Sequence, residues 1–238
     1  MKTIEELITI EKQYIQERLQ GLTDIDFISI LQDNGFTPEE YQYNKGEYFL
    51  KTFNPVFMIG NATEVKNYIY DMADQKQNTL LCVIPDQKIV WHPINGDFNK
   101  EYCDTNNILY DGRPYIGGTV CALPSDLDID IVAMDAPTNF SRVITDKIAT
   151  WIKSKIDSSI SVIVTGNDIL IDNMKVLGMV EYTYQDACIC EFHLSFDIDL
   201  EFIQQVCTKE MVKIPAGLNN FGLFNREELI TEIRTWLK

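Results

Sequence analysis

From Ser159 to Ile198 the chain is a succession of strand-sized segments separated by turn dipeptides, and this most limits the folds open to it. SISVIVTG (159–166) and DILI (168–171) flank Gly166-Asn167, and Asp172-Asn173 supplies the next turn. β-branched runs joined by short Gly/Asn/Asp turns predict antiparallel hairpins. MVEYTY and ACICEFHLSFDI continue the strands. Upstream, LDIDIVAMD (127–135) alternates apolar and acidic residues with the period of a strand, and GGTVCA (117–122) begins another. LLCVI (80–84) and KIVWH (88–92), split by Pro85-Asp86, read as strand, turn, strand. Strands and helices mix without strict βαβ alternation. The prediction is an α+β fold with a mixed, largely antiparallel sheet flanked by helices.

The helical segments lie mainly outside that block. Ile4, Leu7, Ile8, Ile15, Leu19 and Leu22 fall mostly on one helical face. Thr23 or Asp24 is placed to cap a second short helix carrying Phe27, Ile28, Ile30 and Leu31, ending near Asn34-Gly35. Thr37-Pro38-Glu39-Glu40 combines a cap, a first-turn proline and acids suited to a helix N-terminus. Residues 1–50 are therefore read as a helical N-terminal extension. Further on, Thr63 is expected to cap a helix carrying Val65, Tyr68, Ile69, Met72 and Ala73, and Asp97 to Asp111 reads as a polar loop. Thr138 or Asn139 starts a helix with Val143, Ile144, Ile148, Trp151 and Ile152 inward, and Asn225 starts a closing one.

Charge removes whole classes of function. Twenty Lys+Arg against thirty-six Asp+Glu leave −16 over 238 residues. Such a chain lacks the broad basic footprint that nucleic acids and anionic membranes require, although a few local groups can still hold a small anion. The longest apolar run, Leu80 to Ile84, is far short of a membrane span. Met1 to Gln13 has no apolar signal core, so a cytoplasmic location with six reduced cysteines is expected.

The chemistry concentrates in VTGNDILIDNMKVLG (164–178). It is a hairpin that carries an amide and a carboxylate, Asn167 and Asp168, and returns through one lysine, Lys175, and Gly178. A lone ammonium facing Asp168 across the hairpin would clamp an anionic substrate, and Asp168 would suit a divalent metal. An exposed cross-strand ion pair beside an ordinary turn explains the same spacing. Asp126-x-Asp128-x-Asp130 lacks the glycine and glutamate of a calcium loop and reads as strand alternation. Cys188-x-Cys190 places two thiols on one strand face; zinc would want more ligands and the chain has only two histidines, so the pair reads as core or surface thiols. His92 reads as loop packing, His193 as a local hydrogen bond, and Cys207 as an ordinary thiol in preference to an acyl-carrying nucleophile.

The 164–178 segment resembles the Asn-Asp…Lys-x-x-Gly signature of the biotin and lipoate protein ligase family. RPYIGGTV (113–120) is similar to that family's Arg-Arg-x-Ser-Gly-Gly-Gly-Ala-Val stretch, and IVWHPINGDFNKEYC (89–103) and HLSFDIDLEFI (193–203) match two further regions in order. The resemblance runs from about Phe53 to the C-terminus, which implies a ligase-like domain over 51–238 with about 194–238 as its small C-terminal part. It implies lipoate–protein ligase-like chemistry: ATP and Mg²⁺ activate lipoate or a related acid to an acyl-adenylate, and the acyl group passes to a lysine of a lipoyl-domain-like acceptor protein. Lys175 would be the catalytic residue. Arg113, Gly117, Gly118, Thr119, Asn167, Asp168 and Gly178 would line the substrate and nucleotide site, with Asp168 on the metal. The chain departs from the family at Trp91-His92-Pro93-Ile94-Asn95, which replaces a Gly-Arg-Asn-Gln-Asn run, and in keeping Arg113 alone of two arginines. Those losses remove charge-assisted phosphate contacts. The alternative they leave is a catalytically silent ligase-fold protein serving as a binding or assembly module. A biotin ligase and an octanoyl transferase are lesser alternatives.

Overall fold

A computed structural model describes residues 1–21, 26–65, 67–94, 96–113, 118–209 and 211–237. The chain opens with α1 (Ile4–Leu19), α2 (Phe27–Asp33) and α3 (Pro38–Thr52). Thr3 with Glu6, and Thr37 with Glu40, form reciprocal capping boxes that satisfy otherwise orphaned amides at the starts of α1 and α3. Leu7, Leu31 and Tyr41 bury a small core between the three helices, and Leu50 and Phe53 carry the end of α3 into the main core. The expected caps Thr23 and Asp24 lie outside the described residues. Asp26 caps α2, accepting from the Ile28 amide at 3.0 Å.

Next come β1 (Val56–Asn61), α4 (Tyr68–Asp74), β2 (Thr79–Ile84), β3 (Ile89–Pro93), α5 (Lys100–Thr105), β4 (Leu109–Arg113), β5 (Val120–Ala122) and β6 (Leu127–Met134). They are followed by α6 (Phe140–Lys153), β7 (Val162–Thr165), β8 (Asp168–Ile171), β9 (Met174–Tyr184), β10 (Ala187–Leu194), α7 (Leu200–Val206) and α8 (Arg226–Trp236). The main sheet is seven-stranded in the order β1-β2-β6-β10-β9-β8-β7, and β4-β3-β5 form a smaller one. All neighbours in the large sheet pair antiparallel except β1 and β2. The α+β fold with a mixed, largely antiparallel sheet is as the strand pattern predicts.

Two local expectations fail for identifiable reasons. The helix expected from Thr63 begins only at Tyr68, because Thr63 donates to Asn61 and Asp86 in a turn instead. The expected polar loop from Asp97 to Asp111 contains α5, capped by Asn99, and the start of β4; α5 has only 6 residues, too short to establish a helical period. The segments about Pro85-Asp86 are strand, turn, strand as expected, with β2 in the large sheet and β3 in the small one.

β6 decides where the site can be. It lies between β2 and β10 with Leu127, Ile129 and Ile131 fully buried on the face covered by α6. Burying each such side chain contributes about 1.5–3 kcal/mol. Its alternation of apolar and acidic residues is not an inside–outside pattern, because Asp128 and Asp130 are buried as well. They face the interval between the two sheets, beneath Trp91 and Arg113 of the small sheet.

Candidate active site

A β-bulge builds the centre of the site. Ile169 pairs with Leu177, but Leu170 pairs with Lys175, so β9 carries one extra residue opposite β8. The extra residue shifts the usual two-residue alternation, so Lys175 and Gly178, three apart, share a face. Gly178 stands directly opposite Asp168. A Cβ on Gly178 would come within 2.8 Å of Lys175 Nζ, so the lysine lies across the glycine to reach Asp168 Oδ1 at 2.7 Å.

The second Asp168 oxygen receives a hydrogen bond from Lys213 Nζ. Lys213 arrives on the loop after α7, which is tied to β9 by Lys175 N donating to Ile214 O and Ala216 N to Lys175 O, both at 2.8 Å. Burial pushes the Asp168 carboxyl up, but hydrogen bonds and charge from the two lysines outweigh it and hold the carboxyl below its ordinary range. Two ammonium groups around one carboxylate leave a net positive charge, which suits a phosphate or carboxylate. They do not suit a divalent cation held at Asp168, since both its oxygens are engaged by cations.

Two adjoining cavities, of about 460 and 260 Å³, meet at this triad. Gly118, Thr119, Asp168, Lys175, Gly178 and His193 line both. Asn167 and Arg113 line the smaller one. Thus the sequence-predicted residues within the described structure share one connected space, while Gly117 lies outside the described residues. A Cβ at Gly118 would meet nothing within 4 Å, so packing does not demand glycine there; its absence leaves the backbone accessible from the cavity.

The floor of the smaller cavity is a buried polar network that the sequence reading missed. Arg113 donates to Glu191 at 2.8 Å with its guanidinium 4.2 Å above the Trp91 ring centre. Tyr182 donates to the other Glu191 oxygen at 2.6 Å. Trp91 Nε1 donates to Asp128 at 3.0 Å, and His193 Nδ1 lies 2.6 Å from the second Asp128 oxygen. Burial pulls the His193 pKa down, but Asp128 and then Asp126 more than reverse this and raise it. His193 therefore belongs to the cavity wall rather than to a merely local hydrogen bond. Burial drives Asp130 well above the ordinary carboxylate range despite Arg113, and raises Asp126 against His193 and two backbone amides. The only signal for this network was the acidic period in β6, which a solvent-facing strand would also show.

Cys207 lines the larger cavity. A hydrogen bond from the Cys121 thiol lowers its pKa to about 7, against the opposing effect of burial. His92, expected in a loop, lies in β3 opposite Gly112; its ring stacks on Phe98 at 4.3 Å and contacts the Pro93 carbonyl, a packing role.

No protein-family model matches the sequence, and no curated protein matches it. Solved structures do. A bipartite lipoate protein ligase of Thermoplasma acidophilum, solved in a study of that ligase and its E2 lipoyl domain, superposes with a TM-score of 0.62 at 14% identity, over 78% of this chain and 81% of that one. The P. falciparum protein LipL1, in complex with lipoate, gives 0.60 at 13% identity over 77% of this chain. The chain spans 61% of that protein's length. Lipoate-protein ligase A bound with ATP gives 0.58 at 17% identity, over 77% and 82%. The chain has a biotin/lipoate ligase-like fold. Among the described residues no helix is long and apolar enough to cross a membrane.

Proposed function

We propose that this chain is a lipoate–protein ligase-like enzyme that activates lipoate or a similar carboxylic acid with ATP and transfers the acyl group to a lysine of a lipoyl-domain-like acceptor. The observation that carries the reading is the meeting of Lys175 and Lys213 on Asp168, at the junction of two cavities beneath the Gly118 backbone. In the first step the substrate carboxylate attacks the α-phosphorus of ATP and pyrophosphate leaves. Negative charge then develops on phosphate oxygens, where the two fixed ammonium groups stabilise it without reorganising. In the second step the acceptor amine attacks the acyl carbonyl and AMP leaves. Lys213 adds a positive charge to a site that keeps Arg113 alone of the family's two arginines. Asp168 acts by positioning both lysines.

The test is a thermal-shift titration with ATP, lipoate, biotin and the lipoyl sulfamoyl adenylate mimic, run beside ATP-dependent pyrophosphate release. The mimic should raise the melting temperature most, because it occupies both cavities together. Absence of any shift and any turnover with every acid would overturn the enzyme reading in favour of a silent binding or assembly module.

One observation favours a second reading. Cys207, whose thiol pKa is lowered by the Cys121 thiol, lines the same cavity as Lys175. In an octanoyl transferase-like reaction its thiolate would attack a donor acyl thioester, release the donor thiol, and hand the acyl group to an acceptor amine with return of the thiolate. Acyl-enzyme detected by mass spectrometry without ATP, and lost in Cys207→Ser, distinguishes this from the ligase.

A further inference from the structure

On the face of the main sheet opposite the cavities, Cys188, Cys190 and Glu181 converge. Cys188 and Cys190 alternate with Ile189 and Glu191 along β10, so their thiols turn toward α6 while Glu191 turns toward the Arg113 network. Cys190 pairs directly across the ladder with Glu181 of β9. Cys188 Sγ lies 3.7 Å from Cys190 Sγ, and Cys190 Sγ lies 3.9 Å from Glu181 Oε2. One ligand atom from each of the three residues falls within 4.8 Å of the other two.

We propose that these three side chains form a binding site for a single zinc-class divalent ion. A tetrahedral centre with Zn–S of about 2.3 Å requires its sulfurs roughly 3.8 Å apart and a carboxylate oxygen roughly 3.5 Å from each sulfur. The sulfur spacing already has that value, and the Cys190–Glu181 spacing needs a shift of a few tenths of an ångström. Thiolate ligands select zinc and its softer relatives over magnesium or calcium. Three protein ligands leave one position for water.

The charge environment favours the loaded state. Glu181 also accepts from the backbone amides of Asn139 and Ser141, at 3.3 and 3.0 Å, at the start of α6. Asn139 offers no side-chain cap of its own, so Glu181 caps the helix from the sheet. Two thiolates, one carboxylate and a divalent ion carry one net negative charge, which a helix N-terminus stabilises. The carboxylate retains lone pairs for a metal while it accepts from the helix. Metal ligation takes the thiolate form, so loading releases the thiol protons. A bound ion would fasten β9, β10 and the start of α6 at one point, apart from the acyl-transfer chemistry.

The experiment uses the reduced, chelator-treated full chain. Titration with Co²⁺ should reach one equivalent with thiolate charge-transfer absorption in the near ultraviolet, and Zn²⁺ should displace it. The Cys188→Ser/Cys190→Ser pair should lose that absorption and bind Zn²⁺ at least 100-fold more weakly. Cys121→Ala/Cys207→Ala, which removes the cavity thiols, should retain both. Zn²⁺ should raise the melting temperature of the wild type and not of the Cys188/Cys190 double variant. Because Glu181 also caps α6, the serine pair rather than a Glu181 variant decides the matter. No near-ultraviolet band in the wild type, or a band that persists in the serine pair, overturns the proposal.

Discussion

Gly178→Ala separates the position of the Lys175 ammonium from its presence. An alanine Cβ at 178 would stand 2.8 Å from Lys175 Nζ and 2.9 Å from its Cε, so the lysine tip must leave Asp168. The displaced group is the end of a flexible side chain that is 39% exposed. Losing such a partly screened pair costs no more than about 1 kcal/mol. Alanine within a strand recovers about 0.5–1 kcal/mol relative to glycine, because the unfolded chain has fewer conformations to lose. These effects offset, so the melting temperature should move by no more than about 2–4 °C. The catalytic effect should be much larger. If the ammonium must sit against Asp168 to meet the developing acyl phosphate, its displacement removes one preorganised donor, a loss of about 10²–10³ in turnover. The assay is pyrophosphate release with ATP and lipoate, run beside a thermal melt of each variant. Lys175→Ala should match the loss, and Lys175→Arg should not restore it, since a planar fork does not replace a compact ammonium in that gap. A Gly178→Ala variant with near-wild-type turnover would refute the reasoning and return the Lys175–Asp168 pair to an ordinary cross-strand contact.

Other outcomes follow from the same geometry. Lys213→Ala should raise the Asp168 pKa and shrink the ATP-dependent thermal shift while leaving stability within about 1 kcal/mol; undiminished nucleotide binding would exclude Lys213 from the site. Asp130 binds its proton more tightly folded than unfolded, so its contribution to stability is full below the unfolded carboxylate pKa and is lost as pH rises toward its raised folded value, with a slope of up to about 1.4 kcal/mol per pH unit. Asp130→Asn should flatten that decline in melts run from pH 4 upward, and an unchanged slope would count against a buried, protonated Asp130. Cys121→Ala removes the donor that stabilises the Cys207 thiolate, so the pH midpoint of Cys207 alkylation, followed by peptide mass spectrometry, should rise from about 7 to at least the ordinary value of about 8.5.

The sequence by itself determined the elements whose causes are local. Gly166, Asp172 and Asn173 adopt the positive φ angles that few other residues tolerate, and their turns delimit β7, β8 and β9 as expected. Thr37, Pro38 and Glu40 start α3 by satisfying its own first amides. The pairing of Asp168 with Lys175 was legible because a hairpin is local in sequence. What only the tertiary structure decided is every contact that depends on which segments become neighbours. Lys213 lies 38 residues beyond Lys175 in a loop without periodicity, and backbone hydrogen bonds to β9 bring it to Asp168. The alternation in β6 was visible, but period two specifies that side chains point in opposite directions, not that one direction is solvent. Covering by the small sheet turned Asp128 and Asp130 from an apparent surface stripe into a buried floor with Arg113, Glu191 and His193. Cys188 and Cys190 alone lacked a third ligand, and the β9–β10 register supplies it in Glu181. Local torsion and period are written in neighbouring residues; burial, charge compensation and ligand sets are properties of surfaces that exist only once the chain has closed.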